Sequence, residues 1–594
     1  MSIMSEKKCQ NCSCETSDDL CNANANIFRN NEAQIKEGEI AVCATCDNCC
    51  RERTERLNAV LDSVEDKRLI VAGPGTGKTY TFSEVIKTLP EGSRALVFTL
   101  INNLADDLRS ELTVIEGREV KAGTFHGYCK ELLHSIVSVE GFGNDFSYTP
   151  NLPILIEDDA RALGFDYGAA GFSRSFSNLN KDDSLNFFVE RASYYNAISH
   201  TDGVYHTYIY LFNNKDRVPE FDVVIADEFQ DFNLLESEFI SLLATVNKTL
   251  LAGDDDQALY GFRSAKTDFI RGLFNDESLG YEKHYLPYCS RCAPVIVKAT
   301  NDLVQQATSQ GLLVGRIKKD FKPYWPDKYI ESSLFPKIHL AKCSTVKTVP
   351  RFVEHWINEL VDSLSVQPGQ NYEFMVIGPE NRPDYLTSIK KHLTGSLDGE
   401  MYEVVGPKEK SVIDFSEEAY LLLSEGRNTN LAWRMLMRED PPDNLDEIIK
   451  CAIDGVRIET LLSAEYVEKH RVLMQEFLDR EPEEEKEEEE SGRIKILLTN
   501  YLGSKGLAAN HVIVVGLNNE TFPSDAGNIT DEEVCKFLVA LTRAKKTCAL
   551  VTNKEYSKER GYLIDRPSSF ISWLSASDLE SSNYNISKDN INKT

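Results

Sequence analysis

Seven residues, Gly73-Pro-Gly-Thr-Gly-Lys-Thr79, have the spacing of a phosphate-binding loop, whose backbone N–H groups at a helix start cradle phosphates. Gly73, Pro74, Gly75, Thr76 and Gly77 would form the cradle, with Tyr80 directly beyond it. Lys78 would reach the β- and γ-phosphates, and the Thr79 hydroxyl would ligate magnesium. Asp227 and Glu228 follow the apolar run Val223-Val-Ile-Ala226. The first carboxylate is placed to hold magnesium, the second to orient and deprotonate the attacking water. A surface acidic cluster opening a helix would look the same in isolation; the glycine loop upstream favours catalysis. Farther along, Gly253-Asp-Asp-Asp-Gln-Ala-Leu-Tyr-Gly-Phe262 sets a γ-phosphate sensor, Gln257, beside the rings of Tyr260 and Phe262, with Arg263 next. Base stacking on such rings is worth about 1–3 kcal/mol per base and tolerates any sequence. Taken alone the two rings read as core packing. Beside Gln257 they offer coupling of nucleotide hydrolysis to movement on a nucleic-acid strand.

These groups need a scaffold that brings distant segments to one edge. Leu69-Ile-Val-Ala72, Ala95-Leu-Val-Phe-Thr99, Val223–Ala226 and Thr249-Leu-Leu-Ala-Gly253 are short apolar runs separated by helical segments such as 79–89. That alternation predicts an α/β fold, a parallel sheet with ligands at the carboxyl ends of its strands. Phe374–Gly378, Ile494–Leu498, Val512–Gly516 and Cys548–Thr552 predict a second unit of the same kind. Mainly helical stretches at about 132–217 and 411–490 read as one insertion in each unit. The expected organisation is a Cys-rich extension over 1–52, a first unit over 53–275, a second over 276–575 and a disordered polar tail over 576–594.

With 594 residues, 42% hydrophobic and 27% charged, the chain has ordinary globular composition and room for several domains. No run of about 18 apolar residues and no apolar signal core is present, which predicts an intracellular protein, cytoplasmic or nuclear. The net charge of −29 argues against a protein that coats nucleic acid electrostatically, but part of it sits in the acidic block 481–490. It leaves open a motor that grips one strand in a local groove. Eight of the fifteen cysteines fall within the first fifty residues. Cys9-x-x-Cys12 and Cys43-x-x-Cys46 have zinc-knuckle spacing. Two zincs, an iron–sulfur cluster or a cysteine-bearing leader without metal are the alternatives.

The motifs together resemble the UvrD/Rep/PcrA branch of superfamily-one helicases. Gly123-Thr-Phe-His-Gly127, the segment Thr99, Asn102 and Ala105, Leu286-Pro-Tyr-Cys-Ser-Arg291, Ser504-Lys-Gly-Leu507 and Leu541-Thr-Arg-Ala544 arrive in that family's order. The resemblance implies two RecA-like domains and an ATP-dependent 3′→5′ DNA helicase or translocase. In it Lys78, Thr79, Asp227, Glu228 and Gln257 bind and cleave ATP with magnesium, and Arg291 and Arg543 reach the γ-phosphate from the second domain. Thr99, Asn102, His126, Tyr260, Phe262 and Arg263 would line the single-strand channel. Arg56 stands where the family's adenine-reading Gln is usual, Leu502 where a His is usual, and Ala508 where a ribose-contacting Glu is usual. Those departures imply a relaxed nucleotide preference. Repair, replication and anti-phage defence are the processes implied, and small members also partner nucleases, as in the Gabija system. The other reading is an ATP switch or nuclease partner that responds to nucleic acid without unwinding it.

Overall fold

The structure is a computed structural model that describes residues 47–100, 102–135, 142–143, 145–261, 264–265, 267–324, 328, 334–364, 366, 372–406, 414–453, 455–480, 492–557 and 561–584. Cys9, Cys12, Cys43 and Cys46, with the metal expected there, lie outside the described residues, as do Phe262 and Arg263.

Six strands form the first sheet: β1 (Lys67–Ala72), β2 (Arg94–Thr99), β3 (Glu119–Thr124), β4 (Val223–Ala226), β5 (Thr249–Gly253) and β6 (Glu282–Leu286). All neighbours are parallel, in the order β3-β2-β4-β5-β1-β6. The apolar runs are buried on both faces because alternate side chains enter different cores. Leu69, Val71, Leu96, Phe98 and Leu251 pack on one side, and Ile70, Ala72, Ala95, Val97 and Leu250 on the other. Parallel strands share one carboxyl edge, so the loops after β1, β4 and β5 meet there. β3 and β6 escape a search for apolar runs, since as edge strands they are partly exposed and carry Glu, Lys and His. β6 pairs with β1, so the first unit extends past the boundary expected at residue 275.

The second sheet comprises β7 (Ile338–Cys343), β8 (Phe374–Gly378), β9 (Tyr402–Val405), β10 (Ile494–Asn500), β11 (Ala509–Val514), β12 (Ala544–Asn553) and β13 (Leu579–Tyr584). Its order is β9-β10-β8-β11-β12-β7-β13, again all parallel. β13 corrects the expectation of a disordered tail from residue 576. An edge strand needs only one paired side, and this polar one hydrogen-bonds along β7 while the Tyr584 ring meets Phe352 at 5.6 Å. Residues 585–594 lie outside the described set.

The two insertions leave different sheets yet build one helical body. Leu152, Leu155, Phe172, Phe176 and Phe188 from the first share a core with Leu431, Trp433, Met435, Leu436 and Ile448 from the second. At its centre Asp159, fully buried, accepts from Arg191 Nε at 2.9 Å, from Tyr195 Oη at 2.6 Å and from Arg434 Nε at 2.6 Å. Arg438 Nε adds a second cross-link to Asp158 at 2.8 Å. Removing one partner of a buried ion pair leaves the others unneutralised, at a cost of about 3–5 kcal/mol. Asp159→Ala strands two guanidiniums and is expected to lower the unfolding free energy of the helical body by that amount, and with it the denaturant midpoint; an unchanged midpoint in circular dichroism would count against this account.

Candidate active site

The phosphate loop joins β1 to the helix Lys78–Thr88. Gly75 and Gly77 have φ of 67° and 92°, left-handed values that favour glycine. A Cβ on Gly75 would also lie 2.3 Å from the Arg291 Cβ. The crossing segment after β6 therefore sits directly on the loop, and Ser290 N donates to Gly75 O at 2.9 Å. Arg291, expected from the second unit, instead lies on this crossing segment, whose Cys289, Cys292 and Ala293 pack into the core beneath the second sheet.

Asp227 and Glu228 end β4. Glu228 has φ 55°, a left-handed conformation costing roughly 1–2 kcal/mol for a residue with a Cβ. That turn directs its carboxylate to Lys78 Nζ at 3.3 Å, and Gln230 Nε2 donates to its other oxygen at 2.6 Å. Burial opposes ionisation of Glu228, but Lys78 and Lys505 outweigh it and hold the carboxyl below its usual pKa. Burial wins at Asp227, and Glu228 beside it adds to the effect, so that carboxyl is held above its usual range. The Lys78 ammonium stays charged against burial because Glu228, Asp227 and Asp254 surround it. Asp227, buried and short of compensating charge, makes with the Thr79 hydroxyl a hard-oxygen donor set that suits magnesium.

From the other side come Arg543 and Lys505. Arg543 ends the helix Asp531–Thr542, whose start is fixed by a Thr530–Glu533 capping box and whose residues are nearly all core. Its guanidinium donates to Val539 O at 2.9 Å, Leu507 O at 3.1 Å and Gln257 Oε1 at 3.2 Å. Burial, aided by Arg291, brings its pKa down to about 10. Lys505 is the residue that sequence reasoning missed, although it lies inside Ser504-Lys-Gly-Leu507. Its ammonium pairs with Asp231, donates to Gln257 O at 2.7 Å and lies 5.2 Å from the centre of the Tyr260 ring. Gln257, Asp231 and Tyr260 all belong to the first unit.

The result is a cleft of about 420 Å³ lined by Lys78, Thr79, Asp227, Glu228, Gln257, Arg291, Lys328, Lys505, Arg543 and Lys545, among others. Six cations and two carboxylates line it, and Asp231 answers Lys505 from behind, so positive charge is in excess there in a chain of net charge −29. Beside it a second cleft of about 280 Å³ is lined by Arg53, Arg56, Tyr80, Tyr288 and Tyr324, and no Asn or Gln is among its described lining residues. The Arg53 guanidinium lies 4.1 Å over the Tyr324 ring, while Tyr288 Oη donates to Glu52 at 2.6 Å. Gly73 abuts the Phe321 ring.

The residues expected on a nucleic-acid strand divide. Tyr260 joins the cleft through Lys505. Thr99 is buried at the end of β2, and Asn102 opens the helix Asn102–Leu112. His126 sits at the start of the helix Phe125–Ser135, with Nε2 3.7 Å from Glu236 Oε1 and its ring edge-on to His200. An antiparallel hairpin, Glu555–Ser557 with Tyr562–Ile564, holds two exposed aromatics, Tyr556 and Tyr562.

Two family models match the chain. An AAA domain covers residues 57–263, and a UvrD-like helicase C-terminal domain covers 441–555. The chain is 22% identical to a probable DNA helicase II homolog of Mycoplasma pneumoniae, over 89% of this chain and 87% of that one. It is 26% identical to DNA helicase II of Escherichia coli over 42% of this chain and 41% of the relative. The ATP-dependent DNA helicase PcrA of Staphylococcus epidermidis is 24% identical over 41% of this chain and 38% of its own. The chain thus spans about two fifths of the last two relatives and most of the first. No helix among the described residues is long and apolar enough to cross a membrane.

The smaller cleft offers a base no side-chain amide, and so lacks the polar pairing that gives the strongest discrimination, about 10⁴–10⁵. GTP is therefore expected to support hydrolysis within about tenfold of ATP in kcat/KM; strict rejection of GTP would refute this.

Proposed function

We propose, for a chain that belongs to the UvrD-like helicases, that it moves 3′→5′ along single-stranded DNA and separates strands at the expense of ATP. The observation that carries this reading is the position of Lys505: one ammonium from the second unit touches both the backbone of the γ-phosphate sensor and the ring suited to base stacking. A change of spacing at the seam must then be felt at both.

An incoming triphosphate supplies the negative charge that the cleft lacks. It competes with Glu228 for Lys78, and the released carboxylate, already held ionised, is the group that orients and deprotonates the attacking water. Thr79 and Asp227 would hold magnesium, which would supply charge neutralisation to the phosphates. Arg291 and Arg543 stabilise charge on the transferred phosphoryl group, and Gln257, held against Arg543, reports it. Arg543 enters from the second unit, so phosphate contact draws the seam closed. Tyr260, together with Phe262 and Arg263, takes the strand, while Thr99, Asn102 and His126 line its path. DNA repair, replication or defence against foreign DNA is the setting that family membership supports.

The test measures ATP turnover with and without single-stranded DNA, and strand displacement on duplexes with 3′ or 5′ tails. Strong stimulation with displacement from 3′ tails is expected. Stimulation without displacement would restrict the protein to translocation, and no stimulation would leave an ATP switch. Glu228→Gln is expected to cut turnover by about 10²–10⁴ while nucleotide still binds. Arg543→Ala is expected to cost about 10³–10⁵ in kcat; near-normal turnover in that variant would remove the arginine from the site.

A further inference from the structure

Three consecutive carboxylates, Asp254, Asp255 and Asp256, are fully buried, with oxygens as close as metal ligands, within 4.8 Å of one another. The place a cation would take is filled by Lys319, whose ammonium reaches Asp254 at 2.7 Å, Asp255 at 2.9 Å and Asp256 at 2.7 Å. Arg316 grips Asp256 through two bonds of 2.9 and 2.6 Å, and Arg271 Nε donates to Asp255 at 2.9 Å. A structural ion cluster would need nothing further. Asp254 also caps the short turn after it by accepting from Asp256 N–H, and two of its remaining contacts lead to the reacting groups. Its Oδ2 accepts from Gln257 Nε2 at 2.6 Å, and its backbone N–H donates to Gln230 Oε1 at 2.9 Å. Gln230 Nε2 in turn donates to Glu228. A single run of hydrogen bonds thus links the water-activating carboxylate to the sensor, and Asp254 is its middle member. The run is tightly packed: a Cβ on Gly253 would fall 2.6 Å from Gln230 Oε1 and 2.7 Å from Ile270 Cδ1.

We propose that Asp254, clamped by Lys319, is a positioning residue that fixes the Gln257 carboxamide with its NH2 turned inward and its oxygen offered to Arg543. The amide has two donors and one acceptor oxygen and can be turned either way unless a partner decides. A carboxyl oxygen, Oδ2, accepting on the NH2 side decides it, and Lys319, bonded to the other oxygen, Oδ1, holds the group in place. The same clamp sets Glu228 through Gln230, so base and sensor are aligned by one loop. Asp255 shares the ammonium but touches neither Gln257 nor Gln230 through its side chain, which makes it the internal control.

This inference rests on the hydrolysis proposed above, and the experiment separates the two. Asp254→Asn and Asp255→Asn each remove one charge from the same cluster. Asp254→Asn is expected to lower DNA-stimulated kcat about 10- to 100-fold, the loss typical when a group that orients a reacting residue is removed. KM for ATP should stay within about twofold, the signature of an interaction realised only in the transition state. Asp255→Asn should show a comparable loss of thermal stability with kcat near the unaltered protein. Equal kcat losses in the two variants, scaling with stability, would reduce Asp254 to a structural member and overturn the proposal. Asp254→Glu keeps the charge but moves the accepting oxygen by one methylene; it must also lose kcat, and full activity there would overturn the proposal too. Absence of hydrolysis in the unaltered protein would instead remove the hydrolysis reading itself.

Discussion

Unbalanced positive charge, buried where two sheets meet, is the constraint on which the rest of the structure depends. Like charges confined away from water repel strongly, and burial alone disfavours each of them. Arg543 shows the consequence in its lowered pKa, and Lys545, half buried beside Arg291 and Lys328, is shifted the same way. The seam holds because its walls answer some of that charge: Glu228 for Lys78, Asp231 for Lys505, and backbone carbonyls for Arg543. The remainder awaits a polyanion. A triphosphate tail is the partner that satisfies this arrangement, and release of the diphosphate and phosphate after hydrolysis restores the repulsion.

The two sides of the seam are joined by groups they share. Lys505 is one and Gln257 another; each belongs to one unit and bonds to the other. The left-handed backbone at Glu228 and the glycines at 75 and 77 show where strain and close approach are tolerated so that these groups converge. Everything behind them, the strands with alternating faces and the capped helix before Arg543, is regular packing that holds the edge still.

The phosphate loop, the paired acids and the Gln257 string were legible in the sequence because each follows a short apolar run inside a buried strand, so local pattern and fold agree. Edge strands were not. Glu119–Thr124, Glu282–Leu286 and Leu579–Tyr584 are half exposed, and their polarity imitates loops. Lys319 was also beyond reach, since nothing in Arg316-Ile-Lys-Lys319 marks one lysine as buried until the chain folds it onto the Asp254 loop. The joint core of the insertions was hidden for a similar reason, as Asp159 and Arg434 are separated by 275 positions. The sequence shows two helical excursions and not that each completes the other.

That shared helical body changes what kind of machine the chain can be. The two sheet units are connected through the crossing segment after Leu286 and a second time through the body built around Asp159 and Arg434. Two lobes on one hinge can swing and swivel independently; two lobes pinned at two separate points are left with something closer to a single bending coordinate. Any larger rotation of one insertion away from the other would have to expose Trp433 and its apolar neighbours to water. Relative movement of the two units is thereby confined to a short path.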